Sequence, residues 1–231
     1  RSAEVPIKLP LILLALVSFQ ALLGMWTVTL NLLPVVVMGH LLGGFSVLTC
    51  LFLLYLRLSR YRIGFVDMRI KRYATYAALG IVVLVGQIAL GGWTSANYAA
   101  LACTEFPVCE GDWLNRIDMA GAYSVPEAAN YEYGAHDYAE RMTMHIVHRL
   151  GAVITFLYLG WLAISLYRRS ASQHLRNASV VLALVLLAQV GLGISNVVFS
   201  LPLQVAVLHN AVAACLLLVL VLITYTLYRK V

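Results

Sequence analysis

The stretch "MTMHIVHRLGAVITFLYLGWLAISLY" (residues 142–167) decides the fold. It is almost wholly apolar over 26 residues, and at about 1.5 Å per helical residue it spans a hydrocarbon layer roughly 30 Å thick. One end nevertheless carries His145, His148 and Arg149. Ionisable groups at membrane depth are expensive to hold there, and they face a partner or a function. Two histidines three residues apart share one helix face, His145 a turn nearer the end.

The rest of the chain has the same character. Of 231 residues, 62% are hydrophobic and only 11% charged, with mean hydropathy +0.87. A soluble domain carries about 25% charged residues, so the composition predicts an integral membrane protein. Its apolar runs are too long for barrel strands. Six spans are expected, at about 9–30, 34–57, 73–93, 142–167, 178–199 and 203–228. The turns "LNLLP" and "FSLP" are short enough to make the first two and the last two spans antiparallel hairpins, and Pro34 and Pro202 suit a first helical turn.

Charge sets the orientation. The segment 57–72, "RLSRYRIGFVDMRIKR", holds six Lys and Arg against one Asp, and Arg168, Arg169, Arg176, Arg229 and Lys230 fall on the same side. That side is expected to face inward, with both termini, while loop 94–141 lies outside. The expected location is the bacterial inner membrane or the mitochondrial inner membrane. Because the formal charge of +6 sits in short loops between spans, it marks topology, and no nucleic-acid partner is expected. Residues 105–140 hold eight of the ten acids. The chain opens "RSAEVPIKLP", without a Met or a signal peptide with its cleavage site, so a fragment or a trimmed chain is expected.

A repeat runs through the spans. "QALLGMWTVTLNLLPVVVMGH" covers Gln20 to His40, and "QVGLGISNVVFSLPLQVAVLH" covers Gln189 to His209. Each has Gln, Gly four residues on, a Pro-containing turn, and His twenty residues after the Gln. Gln87 and Gly91 repeat the start, and His148 follows on the next span, beyond the long loop. Three helix pairs thus share one plan.

His40 and His209 lie six or seven residues into their helices, about 9–10 Å below the outer surface, and His148 lies at a similar depth. Neutral imidazole ligates iron or copper, and two histidines from neighbouring helices can hold a haem from opposite faces. Small residues follow one turn later (Gly43 and Gly44, Gly151 and Ala152, Ala213), leaving room for a flat macrocycle. A single intramembrane histidine, by contrast, commonly just bonds a neighbouring helix, and Gln20, Gln87 and Gln189 are equally read as interhelical glue. Packing alone does not require histidine at one depth on every second helix, and the repetition points to His148 and His209, then His40, as metal or haem ligands. His145 is read as a hydrogen-bond donor to a cofactor propionate, as a proton relay, or as an interfacial residue. Arg149 and Arg141 either pair with a propionate or snorkel to the interface.

Cys50 and Cys215 lie within apolar spans and read as inert. Cys103 and Cys109, in "CTEFPVC", lie on the outer side, where disulfides persist. A structural disulfide is expected there, with a redox-active pair as the alternative.

"GQIALGGWTSANYAALACTEFPVCEG" (86–111), "MHIVHRLGA" (144–152) and "LHNAVAA" (208–214) resemble the second half of the heme A synthase family of cytochrome oxidase assembly proteins. The resemblance covers most of the chain. It implies an all-α integral membrane fold whose full form has eight transmembrane helices in two related four-helix bundles. Here it implies six: residues 73–231 as one complete four-helix haem-binding bundle with the long outer loop 94–141, and residues 1–72 as a hairpin from a second, pseudo-symmetric bundle. His148 and His209 would hold a haem b, and His40 would belong to the site of a substrate haem O. Its partner histidine and a glutamate, on a helix that this chain lacks, would be missing, and with them a catalytic residue, so that the chain alone would be inactive. His145 takes the position matching that glutamate. The implied reaction oxidises the C8 methyl of haem O to a formyl group, giving haem A for cytochrome oxidase assembly. Implied partners are the lipid bilayer, haem O synthase, an unidentified electron donor and a second copy in a homo-oligomer. Two competing readings are a bis-histidine cytochrome b in electron transfer, which leaves His40 idle, and a quinone-linked thiol oxidase working through Cys103 and Cys109, which leaves the histidine repeat idle.

Overall fold

The computed structural model describes residues 7–59 and 70–228. Most of the basic segment 57–72, and Arg229 and Lys230, lie outside the described residues. Six long helices, each apolar enough to cross a membrane, carry the fold: α1 (Lys8–Thr29), α2 (Pro34–Leu58), α3 (Tyr73–Ala96), α5 (Tyr138–Arg169), α6 (Gln173–Val198) and α7 (Leu203–Tyr228). A one-turn helix, α4 (Met119–Ala122), sits in the long loop between α3 and α5. The chain is an all-helical integral membrane fold.

Two helices start four or five residues before the sequence expectation. Helix α5 begins at Tyr138 rather than 142, because Asp137 and Glu140 form a capping box that satisfies the free amides of a polar first turn. Helix α6 begins at Gln173 rather than 178. Gln173, Leu175 and Arg176 in its first turns are good helix formers, and Gln173 bonds Asn177 across one turn at 2.7 Å.

Helices α3, α5, α6 and α7 close a ring in that order, each packed on the next and α7 returning to α3. Helices α5 and α7 therefore stand at opposite corners. The α1–α2 hairpin lies outside the ring, α1 against α2 and α2 against α3 and α7. Small residues set the close approaches. A Cβ on Gly92 of α3 would stand 2.8 Å from Leu41 of α2, and one on Gly80 would stand 3.1 Å from Leu159 of α5. Lipid is as apolar as leucine, so close packing rather than water exclusion holds such helices together.

The three first helices end alike. After α1, the Leu30 amide bonds Trp26 O at 3.0 Å, Asn31 bonds Val28 O at 3.2 Å and Leu32 bonds Thr27 O at 2.9 Å. After α6 the same three bonds run from Phe199 to Ser195, Ser200 to Val197 and Leu201 to Asn196. After α3 they run from Asn97 to Trp93, Tyr98 to Ser95 and Ala99 to Thr94. Each end has a left-handed residue: Asn31 (φ 49°), Ser200 (φ 54°) and Tyr98 (φ 53°). This is the Schellman way of closing orphan carbonyls. Two of these ends lead into a short turn, and the third into the long loop.

The buried apolar core of the ring occupies one half. It runs from Tyr73 to Ile88 on α3, Leu159 to Leu166 on α5, Leu175 to Leu186 on α6 and Ala213 to Leu227 on α7. Gly91, His148, Gly193 and His209 all lie beyond its edge, towards the long loop. That loop covers this end. Trp93 Nε1 donates to Ala122 O at 2.8 Å, and the Asp118 amide donates to Thr143 Oγ1 at 3.0 Å. It also reaches the outer hairpin: Asn31 Nδ2 donates to Ala129 O at 3.0 Å, and the Tyr131 amide to Asn31 O at 3.0 Å.

The α5 cap gives a direct test. Asp137→Ala removes the acceptor for the Glu140 amide (2.9 Å) and should destabilise the detergent-solubilised protein by about 1 kcal/mol. Exposed Glu127→Ala should leave the melting temperature unchanged.

Candidate functional site

The sequence repeat is realised as a repeated contact. In α1–α2, Gln20 Nε2 donates to the main-chain carbonyl of His40 at 2.8 Å. In α3–α5, Gln87 Nε2 lies 3.0 Å from His148 Nδ1 and donates to His148 O at 3.0 Å. In α6–α7, Gln189 Nε2 lies 3.2 Å from His209 Nε2. The glycine one turn after each glutamine supports the ring. A Cβ on Gly24, Gly91 or Gly193 would stand 3.2, 2.9 and 3.2 Å from Cε1 of His40, His148 and His209. Each imidazole therefore lies with its Cε1 edge on bare backbone; the amide of the neighbouring helix meets the ring at His148 and His209 and the main-chain oxygen alone at His40.

A second glycine makes room for the glutamine itself. Side chains of Gln20 and Gln87 lie where a Cβ on Gly43 or Gly151, three residues after the histidine, would stand. Val212 holds that position in the third pair. Gln189 there bonds the ring alone, whereas Gln20 and Gln87 both reach the histidine carbonyl.

Each ring keeps a nitrogen without a protein partner. His40 Nδ1 and His209 Nδ1 are buried and unpaired, and His148 bonds through Nδ1 alone. The amide oxygens of Gln20, Gln87 and Gln189 are likewise buried without a partner. His148 and His209, on opposite corners of the ring, lie within electrostatic reach of one another. They sit where the apolar core has stopped. Two imidazoles at that end of the ring, each with a ring nitrogen free of protein partners, could together hold a haem iron, which needs one lone pair from each.

His145 is 5% exposed, with Nδ1 buried and unpaired. It lies within electrostatic reach of His148, Arg149 and Glu110. Arg149 reaches the outer loop. Its Nη1 donates to Glu105 O at 2.8 Å and Pro107 O at 3.1 Å, and its Nη2 donates to Cys103 O at 2.9 Å. These carbonyls belong to the loop closed by the Cys103–Cys109 disulfide, whose Cα atoms are 4.9 Å apart. The residue next to His148 thus anchors the outer loop. Arg141 turns to its own helix start, its Nε 3.3 Å from Asp137 O.

Sequence reasoning missed several supports. Glu110 Oε1 accepts the Thr104 and Glu105 amides, at 2.8 and 3.2 Å, and the Thr104 hydroxyl. The Thr104 hydroxyl, aided by backbone amides, holds the Glu110 carboxyl down at about 2. His136 Nδ1 pairs with Glu140 Oε2 at 2.8 Å. The recurrence of acids beside Thr and His in the loop carried the only hint, and contacts this local do not show as periodicity.

Glu110 makes the disulfide loop sensitive to pH. Its folded pKa is depressed from 4.5 to about 2, so the stabilisation is complete above pH 4.5 and is lost as pH falls towards 2. The melting temperature of Glu110→Gln should lie below wild type at neutral pH, and the gap should close over that window.

Comparison with known proteins adds a family to this geometry. A family model described as cytochrome oxidase assembly protein, COX15-CtaA, matches residues 1–221. The heme A synthase of Shewanella oneidensis is 50% identical over 232 aligned residues, covering 100% of this chain and 69% of its own length. That of Agrobacterium fabrum is 29% identical over 228 residues, covering 93% of this chain and 58% of its own. That of Rickettsia prowazekii is 24% identical over 215 residues, covering 91% and 61%.

Proposed function

The chain belongs to the COX15-CtaA family of cytochrome oxidase assembly proteins, and from that membership we propose that it forms the larger part of a heme A synthase. The ring of α3, α5, α6 and α7 is the haem b bundle, and α1–α2 is a hairpin of a second, substrate-binding bundle. The reaction is oxidation of the C8 methyl of haem O to a formyl group. One observation carries this reading: His148 and His209 stand on opposite corners of one helix ring, beyond the edge of its core, each with a ring nitrogen free.

His148 and His209 would hold the haem b, which supplies one-electron redox chemistry when bound. The chain's own residues orient and enclose. Gln87, Gly91, Gln189 and Gly193 set the two rings. The loop from Asn97 to Asp137, drawn down by Trp93, Thr143 and Arg149, shields the histidine end from water. His145 stands between that loop and His148, placed to bond a propionate or pass a proton. The disulfide is structural, because it closes the loop that Arg149 grips. The acidic loop faces outward from a bacterial inner membrane and the basic segments face inward, as the positive-inside rule requires. His40, in the same Gln–Gly frame as His209, serves the substrate haem O. A single-haem cytochrome has no use for that third frame.

Optical and EPR spectra of the membrane-purified protein test the haem b site. Wild type should give a low-spin bis-histidine signal, and His148→Ala and His209→Ala should each abolish it. Retention of that signal by both variants would overturn the assignment.

His40 is tested separately, in the complete enzyme. His40→Ala should stop haem A formation, read by pigment extraction and chromatography, while the bis-histidine signal persists. Undiminished haem A would remove His40 from the substrate site.

A further inference from the structure

Arg149 is a cation held by neutral groups. Its Nη1 donates to Glu105 O and Pro107 O, at 2.8 and 3.1 Å, and its Nη2 to Cys103 O at 2.9 Å. The Phe106 ring lies 6.0 Å from the guanidinium carbon. Residues 103, 105 and 107 alternate along the disulfide loop, and their carbonyls converge on this one guanidinium. The Thr104 and Glu105 amides go instead to Glu110, at 2.8 and 3.2 Å. The loop thus holds a cation on its carbonyls and an anion on its amides. Among the described residues the one side-chain ion pair is His136 with Glu140, so no carboxylate touches Arg149.

A carboxylate in contact would cancel most of the charge felt beyond the pair. Carbonyls satisfy the N–H groups and leave a full positive charge in place. The charge is permanent, because arginine keeps its proton. It is fixed, because three bonds and a disulfide-closed loop hold the fork. Arg149 also follows His148 directly in α5, and its field reaches the His148 ring. We propose that Arg149 is the charge that sets the potential of the haem held by His148 and His209, with the disulfide loop as its mount. This rests on the haem reading given above. Ferric haem carries one more positive charge than ferrous haem, so a nearby cation favours the reduced form and raises the midpoint potential. Partial burial limits screening by salt. Glu110 has the opposite sign, and its field is felt at Arg149 and His145. It pulls the potential down by a smaller amount, acting from beyond the arginine. The histidines fix the spin state of the iron, and the arginine fixes how readily that iron takes an electron.

Redox titration of haem b in the complete, membrane-purified enzyme tests this, with EPR alongside to show that both histidines still ligate. Arg149→Met, neutral and of similar length, should lower the midpoint potential while the low-spin signal stays. Arg149→Lys keeps the charge and loses the fork, and its potential should stay close to wild type. Glu110→Gln should raise the potential, by less than Arg149→Met lowers it. An unchanged potential in Arg149→Met would overturn the proposal. So would a fall in Arg149→Lys as large as that in Arg149→Met, which would assign the effect to the lost grip. Should Arg149→Met lose the low-spin signal, Glu110→Gln decides alone, and an unchanged or lowered potential there overturns the proposal. If wild type itself gives no bis-histidine signal, the haem reading falls first and takes this inference with it.

Discussion

A glutamine amide pressed against a histidine, across two helices and inside an apolar slab, is the contact on which this architecture depends. An imidazole at that depth has no water to bond. Without a fixed partner it would turn freely or drag its helix towards the surface. The amide supplies a donor without adding charge, and at His148 and His209 that donor meets the ring. Because the amide comes from the preceding helix of each pair, the contact also locks the pair in register.

Glycine makes the contact possible. The ring edge rests on Gly24, Gly91 or Gly193, and the glutamine rests on Gly43 or Gly151, so one helix pair is keyed at two levels. Where Val212 replaces the second glycine, the key is shallower and the grip moves from main chain to ring. In a core packed without voids, such small substitutions decide direction as well as stability.

The halves of the helix ring do different work. Leucines from all four helices fill the half away from the long loop and make it a rigid base. The other half holds the histidines and is roofed by the loop. Arg149 joins roof to base: it follows His148 on α5, and its guanidinium is spent on three loop carbonyls. The loop also bonds the α1–α2 turn through Asn31. One cap therefore ties the outer hairpin, the disulfide loop and the histidine-bearing helix together.

Six spans, their pairing into hairpins and the threefold Gln–Gly–His plan were all legible in the sequence. Hydropathy, turn residues and spacing act locally, and the bilayer forces every buried backbone group to bond within its own helix. Which corners of the ring α5 and α7 occupy, which nitrogen each glutamine takes and what Arg149 grips were decided only by tertiary packing. Those outcomes turn on contacts between residues far apart in the chain, such as Arg149 with Cys103, and on close approaches such as that of Gln87 to Gly151. A one-dimensional pattern records that Gln87 and His148 recur with their repeats. It does not record that their side chains meet at 3.0 Å, because that distance is set by how closely two helix backbones can approach.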